Sequence, residues 1–473
     1  MFRVSRFLFF IVTPLAVSTV WTLRASDPGT GPPRPVFVAT DHGTYAALAV
    51  PPRERLRAGE LIVAFRPPAE ERAIERALRD AGTVSARRGT FGSRYAVTVD
   101  DAVGLARALG RLRAMDEVDY AEVNGLVHKD AAATFTPNDP RFSIQWNFRM
   151  VGAERMWGIQ KGSSSVAVAV LDTGIAYEDY ADPRTGQQFR KAPDWDGTVF
   201  LPGHDFINGD DHPNDDEGHG THVASTVAQA TNNNKSFAGL AFNCALMPVK
   251  VLDQDGFGTF FDVAEGIDYA ANFTQGGQRP VKVINLSLGG DGSSEDVRRA
   301  VDRAFTNGVV VVAAAGNDGK GTIEFPASLT NVMAVGAVDA RKEKAYYSNF
   351  GPELSVVAPG GDCGRNDSLN AFGFDCVWQQ GMNPDLVAQG RYDTFVSLGQ
   401  DGTSSATPHV AAVAALLISQ GITDPAAVRA AIEQTADRLG GAAAGGRNDT
   451  FGHGLIAPAR ALAGLGFNQG PND

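Results

Sequence analysis

From about residue 135 onward the chain alternates two patterns. Short apolar runs without polar alternation are followed by stretches with apolar positions at helical spacing. The runs are SVAVAVLD (165–172), MPVKVLD (247–253), KVINLSL (282–288) and VVVVAAAG (309–316). A strand that shows neither face to water loses the period of two, so these runs predict a parallel sheet covered on both sides. Between them, FDVAEGIDYAANF (261–273) and SEDVRRAVDRAF (294–305) predict helices, the second opened by a Ser294 cap without a full capping box. Strands and helices in alternation predict an α/β domain, doubly wound and mostly parallel, over about 135–465. In that architecture ligands bind at the carboxyl ends of strands.

The front of the chain reads differently. ELIVAF (60–65) is a strand, AEERAIERALRDAG (69–82) an amphipathic helix and RYAVTVD (94–100) a strand. GLARALGRLRAM (104–115) follows as a helix and VDYAEVNGLVHK (118–129) as a last strand. This β-α-β-α-β order over 58–129 predicts a small α+β unit, one sheet under two helices, without a catalytic constellation. Residues 26–57 are rich in Pro, Gly and Arg and read as a linker. Ahead of them, Arg3 and Arg6 precede an apolar stretch from Phe7 to Trp21, which is short for a membrane span. Residues 1–25 therefore read as a secretory signal, and the destination as extracellular or periplasmic. Later stretches are too polar to span a bilayer, so no stable membrane partner is expected.

Charge and cysteine content narrow the picture only slightly. Lys and Arg total 42 against 54 Asp and Glu, a net charge of -12, which argues against nucleic acid as a partner. Three cysteines in 473 residues exclude a disulfide scaffold. Cys363 and Cys376 flank a polar loop that one bridge would close, whereas Cys244 sits in the apolar run AFNCALMPVKVL and reads as a buried thiol.

Three segments carry candidate chemistry at strand ends or helix starts: Asp172 in VLDTGI, His219 in EGHGTHVAST and Ser404 in DGTSSATPHVAAVAALL. A serine hydroxyl is a weak nucleophile until a base takes its proton. An imidazole both accepts and returns a proton near neutrality, and an aspartate fixes its tautomer and stabilises its cation. The chain order Asp, His, Ser separates this set from chymotrypsin-like and α/β-hydrolase orders, and GTSSA is not the G-x-S-x-G elbow. An esterase on an α/β-hydrolase fold is disfavoured on both grounds. A catalytically silent binding module is disfavoured by the intact set.

Five segments, LDTGI, GHGTHVA, GTSSATPHVA, INLSLGG (284–290) and AAAGN (313–317), resemble the subtilisin family over roughly 135–465. The resemblance implies a secreted serine endopeptidase of broad specificity acting on proteins and peptides. It implies that Asn317 and the Ser404 N–H bind the developing oxyanion, where a fixed donor stabilises charge present only in the transition state. Two departures stand out. Ser405-Ala406-Thr407 follows the nucleophile instead of Met-Ala-Ser, and about 40 residues separate APGG (358–361) from GTSS. The resemblance further implies two edges that receive an extended peptide, Ser287-Leu288-Gly289-Gly290 and Gly256-Phe257-Gly258. The primary pocket is expected between Leu288-Gly289 and Ala314-Ala315-Gly316. Alignment with the family puts Glu324 near its floor, where a carboxylate would favour Lys or Arg, but this one is expected to point to solvent as most do.

The acidic loop HDFINGDDHPNDDEGHG (204–220) resembles a thermitase-like calcium loop, implying Asp205, Asp210 and Asn214 as Ca²⁺ ligands. A second such site would use Asp139 with Asn233 of TNNNKSFAG. Zinc on His212, His219 and His222 is disfavoured, because His219 is the base and no HExxH is present. His222 and His409 are expected to pack or to lie on a helix surface, not to act in catalysis. By the same resemblance, residues 58–129 are an inhibitory propeptide and intramolecular partner, released by self-cleavage between about Val127 and Phe135.

Overall fold

The structure, a computed structural model, describes residues 38–40, 43–45, 56–68, 70–90, 92–99, 102–125, 134–364, 375–440 and 446–464. The expected signal segment, most of the linker and most of the expected self-cleavage stretch lie outside the described residues. The chain divides into two compact units, Met1–Asp130 and Ala131–Asp473.

The first unit holds a four-stranded antiparallel sheet, ordered Thr83–Arg88, Arg94–Val99, Leu56–Phe65, Val118–Gly125. Helices Glu71–Asp80 and Ala102–Arg113 pack on it, with Leu61, Val63, Ile74, Val97 and Leu112 in the core. The order is thus β-α-β-β-α-β. The additional strand, Thr83–Arg88, is an edge whose side chains are exposed after the first residue. It carries no apolar alternation, so the sequence pattern cannot reveal it.

The second unit is built on seven parallel strands: β1 (Ala167–Asp172), β2 (His204–Asp205), β3 (Ala245–Lys250), β4 (Val281–Leu286), β5 (Val310–Ala314), β6 (Val332–Val338) and β7 (Leu354–Pro359). Their order is β2-β3-β1-β4-β5-β6-β7. Every residue of β1, β3, β5, β6 and β7 is buried, which is why the runs lack alternation. Helices α1 (His219–Ala228) and α4 (Thr403–Ser419) pack together against the sheet, as do α2 (Phe260–Asn272) and α3 (Glu295–Thr306). This is the doubly wound α/β architecture. The strand order reverses at β1, which puts a crevice beyond the carboxyl ends of β1 and β4.

The long stretch before Ser404 contains two paired strands. Val377–Met382 and Phe395–Gln400 pair as an antiparallel hairpin beside α1, and Val377 O and Leu398 O both meet His222 Nε2. Cys363 and Cys376 are disulfide-bonded and Cys244 is a buried free thiol. Among the described residues no helix is long and apolar enough to cross a membrane.

Candidate active site

Asp172 ends β1 and is fully buried. Its Oδ1 accepts from the Thr173 N–H at 2.8 Å and from His219 Nδ1 at 2.7 Å. His219 opens α1 after Gly218, whose φ of 113° suits glycine alone. Asp215 fixes this turn. Its carboxylate accepts from the N–H groups of Glu217, Gly218 and Thr221 and from the hydroxyls of Thr173 and Thr221. Lys250, wholly buried in β3, donates from Nζ to Thr173 O, Leu252 O and Asp216 Oδ1 at 2.6–2.8 Å. A buried ammonium demands such partners. Asp215 and Lys250 are supports that sequence reasoning missed. Lys250 was hidden in an apolar run and Asp215 among loop carboxylates.

Burial opposes the charged form of His219, but Asp172, then Glu217 and Asp215, hold the ring proton and push its pKa up to about 9. His222 and His409 take the packing roles expected of them. Burial holds His222 down at about 3 and His409 at about 4, and His409 bonds Asn147 and Ser405 O.

Ser404 lies in the first turn of α4, a helix apolar on all sides and buried along nearly its whole length. Pro408 has no N–H to give to the carbonyl four residues earlier. That carbonyl, Ser404 O, accepts from the Ser287 hydroxyl at 2.8 Å instead, which ties the nucleophile to the first substrate edge. Gly402 precedes the helix at φ 147°, and a Cβ there would stand 2.8 Å from Ser404 Oγ. Asn317 Oδ1 accepts from the Thr403 N–H and hydroxyl at 2.8 and 2.9 Å. With its oxygen so engaged, Nδ2 is the end left for another acceptor. Nδ2 lies 3.7 Å from the same Gly402 Cβ position, so amide and hydroxyl share one small space.

His219, Ser404 and Asn317 line one cleft of about 770 Å³. Ser404 Oγ makes no hydrogen bond to His219 among the described residues. Such bonds are commonly long without substrate and tighten in the complex. Ser287, Leu288, Gly289, Gly290, Gly256, Phe257 and Gly258 line the same cleft, whereas Ala314 and Gly316 are buried behind it. Glu324 does not point freely to solvent. It is half-buried, with its carboxylate against Gly289 and Gly316.

The two acidic loops differ. Asp205 accepts from Ile207 N, Asn208 N and Asn208 Nδ2, so its oxygens cap their own turn. Asp210 pairs with Arg184, whose guanidinium also reaches Asn208 O and Asp182. Asn214 gives Nδ2 to Glu178, and its Oδ1 is buried without a partner. Of this loop's carboxylates, Asp210 is met by Arg184 and Asp216 by Lys250. At the second locus, Asp139 and Asp194 are 4% and 1% exposed. Asp139 accepts from the N–H groups of Asn232 and Asn233, and Asp194 from Asn233 Nδ2 and Gln229 Nε2. Burial raises both carboxyls, and Asp139 raises Asp194 further. Two buried like charges sharing Asn233 fit an oxygen-coordinated cation. Asp194, far from Asp139 in sequence, was not foreseen. Among the described residues no group of three or more His, Cys, Asp or Glu converges as metal ligands.

A hydroxyl, an imidazole held by a buried carboxylate and a fixed amide, on one cleft at the carboxyl edge of a parallel sheet, define a serine-type peptidase. The subtilase family model matches residues 163–454, and the chain belongs to that family. It is 37% identical over 386 residues to the thermophilic serine proteinase of Bacillus sp. (strain AK1), covering 81% of this chain and 83% of that one. It is 39% identical over 308 residues to thermitase of Thermoactinomyces vulgaris, covering 65% and 94%. A solved protease from Pseudoalteromonas arctica PAMC 21717 superposes with a TM-score of 0.57 at 32% identity, over 70% of this chain and 99% of that one. The chain is a serine-type endopeptidase.

Proposed function

We propose that the enzyme cleaves proteins through an acyl-enzyme in which Ser404 is the nucleophile. His219 Nε2 takes the Ser404 proton as Oγ attacks the scissile carbonyl carbon, and Asp172 holds the imidazolium. Asn317 Nδ2 and the Ser404 N–H receive the oxyanion. Collapse expels the amine, which leaves with the proton from His219. Water then attacks the ester, again with His219 as base, and frees Ser404 and the carboxylic acid. The observation that carries this reading is the 2.7 Å His219–Asp172 bond on the cleft that Ser404 and Asn317 line. Backbone pairing along Ser287–Gly290 and Gly256–Gly258 favours broad sequence tolerance. Casein hydrolysis tests the reading. Ser404→Ala is expected to lose on the order of 10⁶ in kcat, the scale known for subtilisin itself. An undiminished variant would remove Ser404 from the mechanism, and activity on short esters alone would favour an esterase.

Residues 58–129 are proposed to occupy the cleft as an inhibitory propeptide and to be released by the enzyme itself. The leader directs export. Asp139, Asp194 and Asn233 would hold a structural Ca²⁺, which neutralises two buried carboxylates and pins the start of the catalytic unit to the loop after α1. Such an ion, at a hundredfold excess over its Kd, contributes about 2.7 kcal/mol. Chelation is therefore expected to lower the melting temperature, and an unchanged transition would count against the ion.

A further inference from the structure

The segment Glu324–Pro326 bridges the two walls beside the nucleophile. Glu324 N donates to Ala315 O at 3.0 Å, and Phe325 O accepts from Gly290 N at 2.9 Å. Between those anchors the Glu324 side chain turns into the slot separating the walls. A Cβ at Gly289 would lie 2.6 Å from Oε2, and one at Gly316 would lie 2.5 Å from Oε1. Each carboxylate oxygen thus rests against a glycine that leaves room for it and for little else.

The carboxylate has no hydrogen bond and no ion pair among the described residues. The nearby cation, Lys320, gives its Nζ to Asp318 Oδ2 at 2.7 Å. Burial, then Asp318 and Asp291, disfavours the charge on Glu324, and Lys320 offsets them only in part. An uncompensated, half-desolvated carboxylate resting against Gly289, which lines the cleft, gains most from a cation brought by the ligand.

The slot opens at the reacting atoms. One wall, Ser287, holds Ser404 O, and the other wall runs into Asn317, which holds Thr403. A carbonyl placed on Ser404 with its oxygen toward Asn317 sits at the slot's mouth. The side chain of the residue that owns that carbonyl is the one directed inside. A Lys or Arg there has an apolar stem to lie in the cleft along Leu288 and Gly289 and a cationic head to meet the carboxylate that rests against Gly289. We infer that Glu324 selects substrates with Lys or Arg at the residue donating the scissile carbonyl, the rest of the peptide being read loosely through its backbone.

This inference rests on the endopeptidase reading, and one experiment separates their failures. Peptide anilides differing only at that residue (Lys, Arg, Gln, Leu, Glu) are assayed with active-site-titrated wild type, Glu324→Gln and Glu324→Lys. Wild type is expected to favour Lys and Arg over Leu by on the order of 10- to 100-fold in kcat/KM. Glu324→Gln is expected to abolish that preference while still cleaving the Leu peptide, and Glu324→Lys to shift preference toward Glu. Equal or better cleavage of Leu by wild type, or a basic preference that survives Glu324→Gln, would overturn the inference alone. Absence of cleavage of every peptide, with no titratable serine, would overturn the endopeptidase reading and the inference with it.

Discussion

The two sides of the cleft are held in place by different physics. On the His219 side the supports are charged and buried. Asp172, Asp215 and the Lys250–Asp216 pair interlock around Thr173 and the first turn of α1. On the Ser404 side the contacts are neutral: Ser287 to Ser404 O, Thr403 to Asn317, and Tyr347 Oη receiving the Gly402 N–H, all resting on an apolar helix. Charged supports tune a proton affinity, whereas neutral ones fix where a hydroxyl and an amide stand. The first side should therefore govern how the rate responds to pH. The second should govern how well the transition state is held.

The largest effect that would sharpen this contrast is at Asn317. Asn317→Ala is expected to lower kcat by about 10²–10³ while leaving KM and the shape of the pH profile nearly unchanged, on the scale measured for the equivalent loss in subtilisin. A loss confined to KM would show that the amide binds substrate uniformly rather than the oxyanion.

A smaller and different effect is expected on the opposite side. His219 must be neutral to accept the Ser404 proton, and its neighbours push its pKa up to about 9. The neutral fraction grows as pH rises through that value, so kcat/KM is expected to climb through the alkaline range and level off above it. Glu217→Gln removes one of the raising charges, while the Gln side-chain oxygen can still accept from His219 N as Glu217 does. The ascending limb is expected to move to lower pH with little change in the plateau. A limb that does not move would separate Glu217 from the proton affinity of His219, and equal pH shifts in Asn317→Ala would erase the contrast between the sides.

The same division explains what was legible in the sequence. Buried strands announce themselves by unbroken apolar runs, and the three chemical side chains stand in short segments at the ends of such runs or opening helices. The supports are silent. Lys250 looks like an interruption of an apolar strand, and only burial against Thr173 O and Asp216 gives it a task. Asp194 joins Asp139 only because loops far apart in the chain meet at Asn233. Thr83–Arg88 is a strand by pairing alone, since its side chains face water. Glu324 was misjudged for a related reason. Average behaviour sends a glutamate to solvent, but between the backbone anchors at Ala315 and Gly290 this one rests its carboxylate against Gly289 and Gly316. Each of these depends on a neighbour that the local pattern does not contain.

The most direct measurement is covalent. The mature enzyme is treated with a fluorophosphonate and the adduct is mapped by mass spectrometry, alongside His219→Ala. One stoichiometric adduct on Ser404, formed rapidly in wild type and very slowly in His219→Ala, is the expected result. An adduct on another residue, or equally fast labelling without the imidazole, would contradict the pairing of Ser404 with His219 and Asp172.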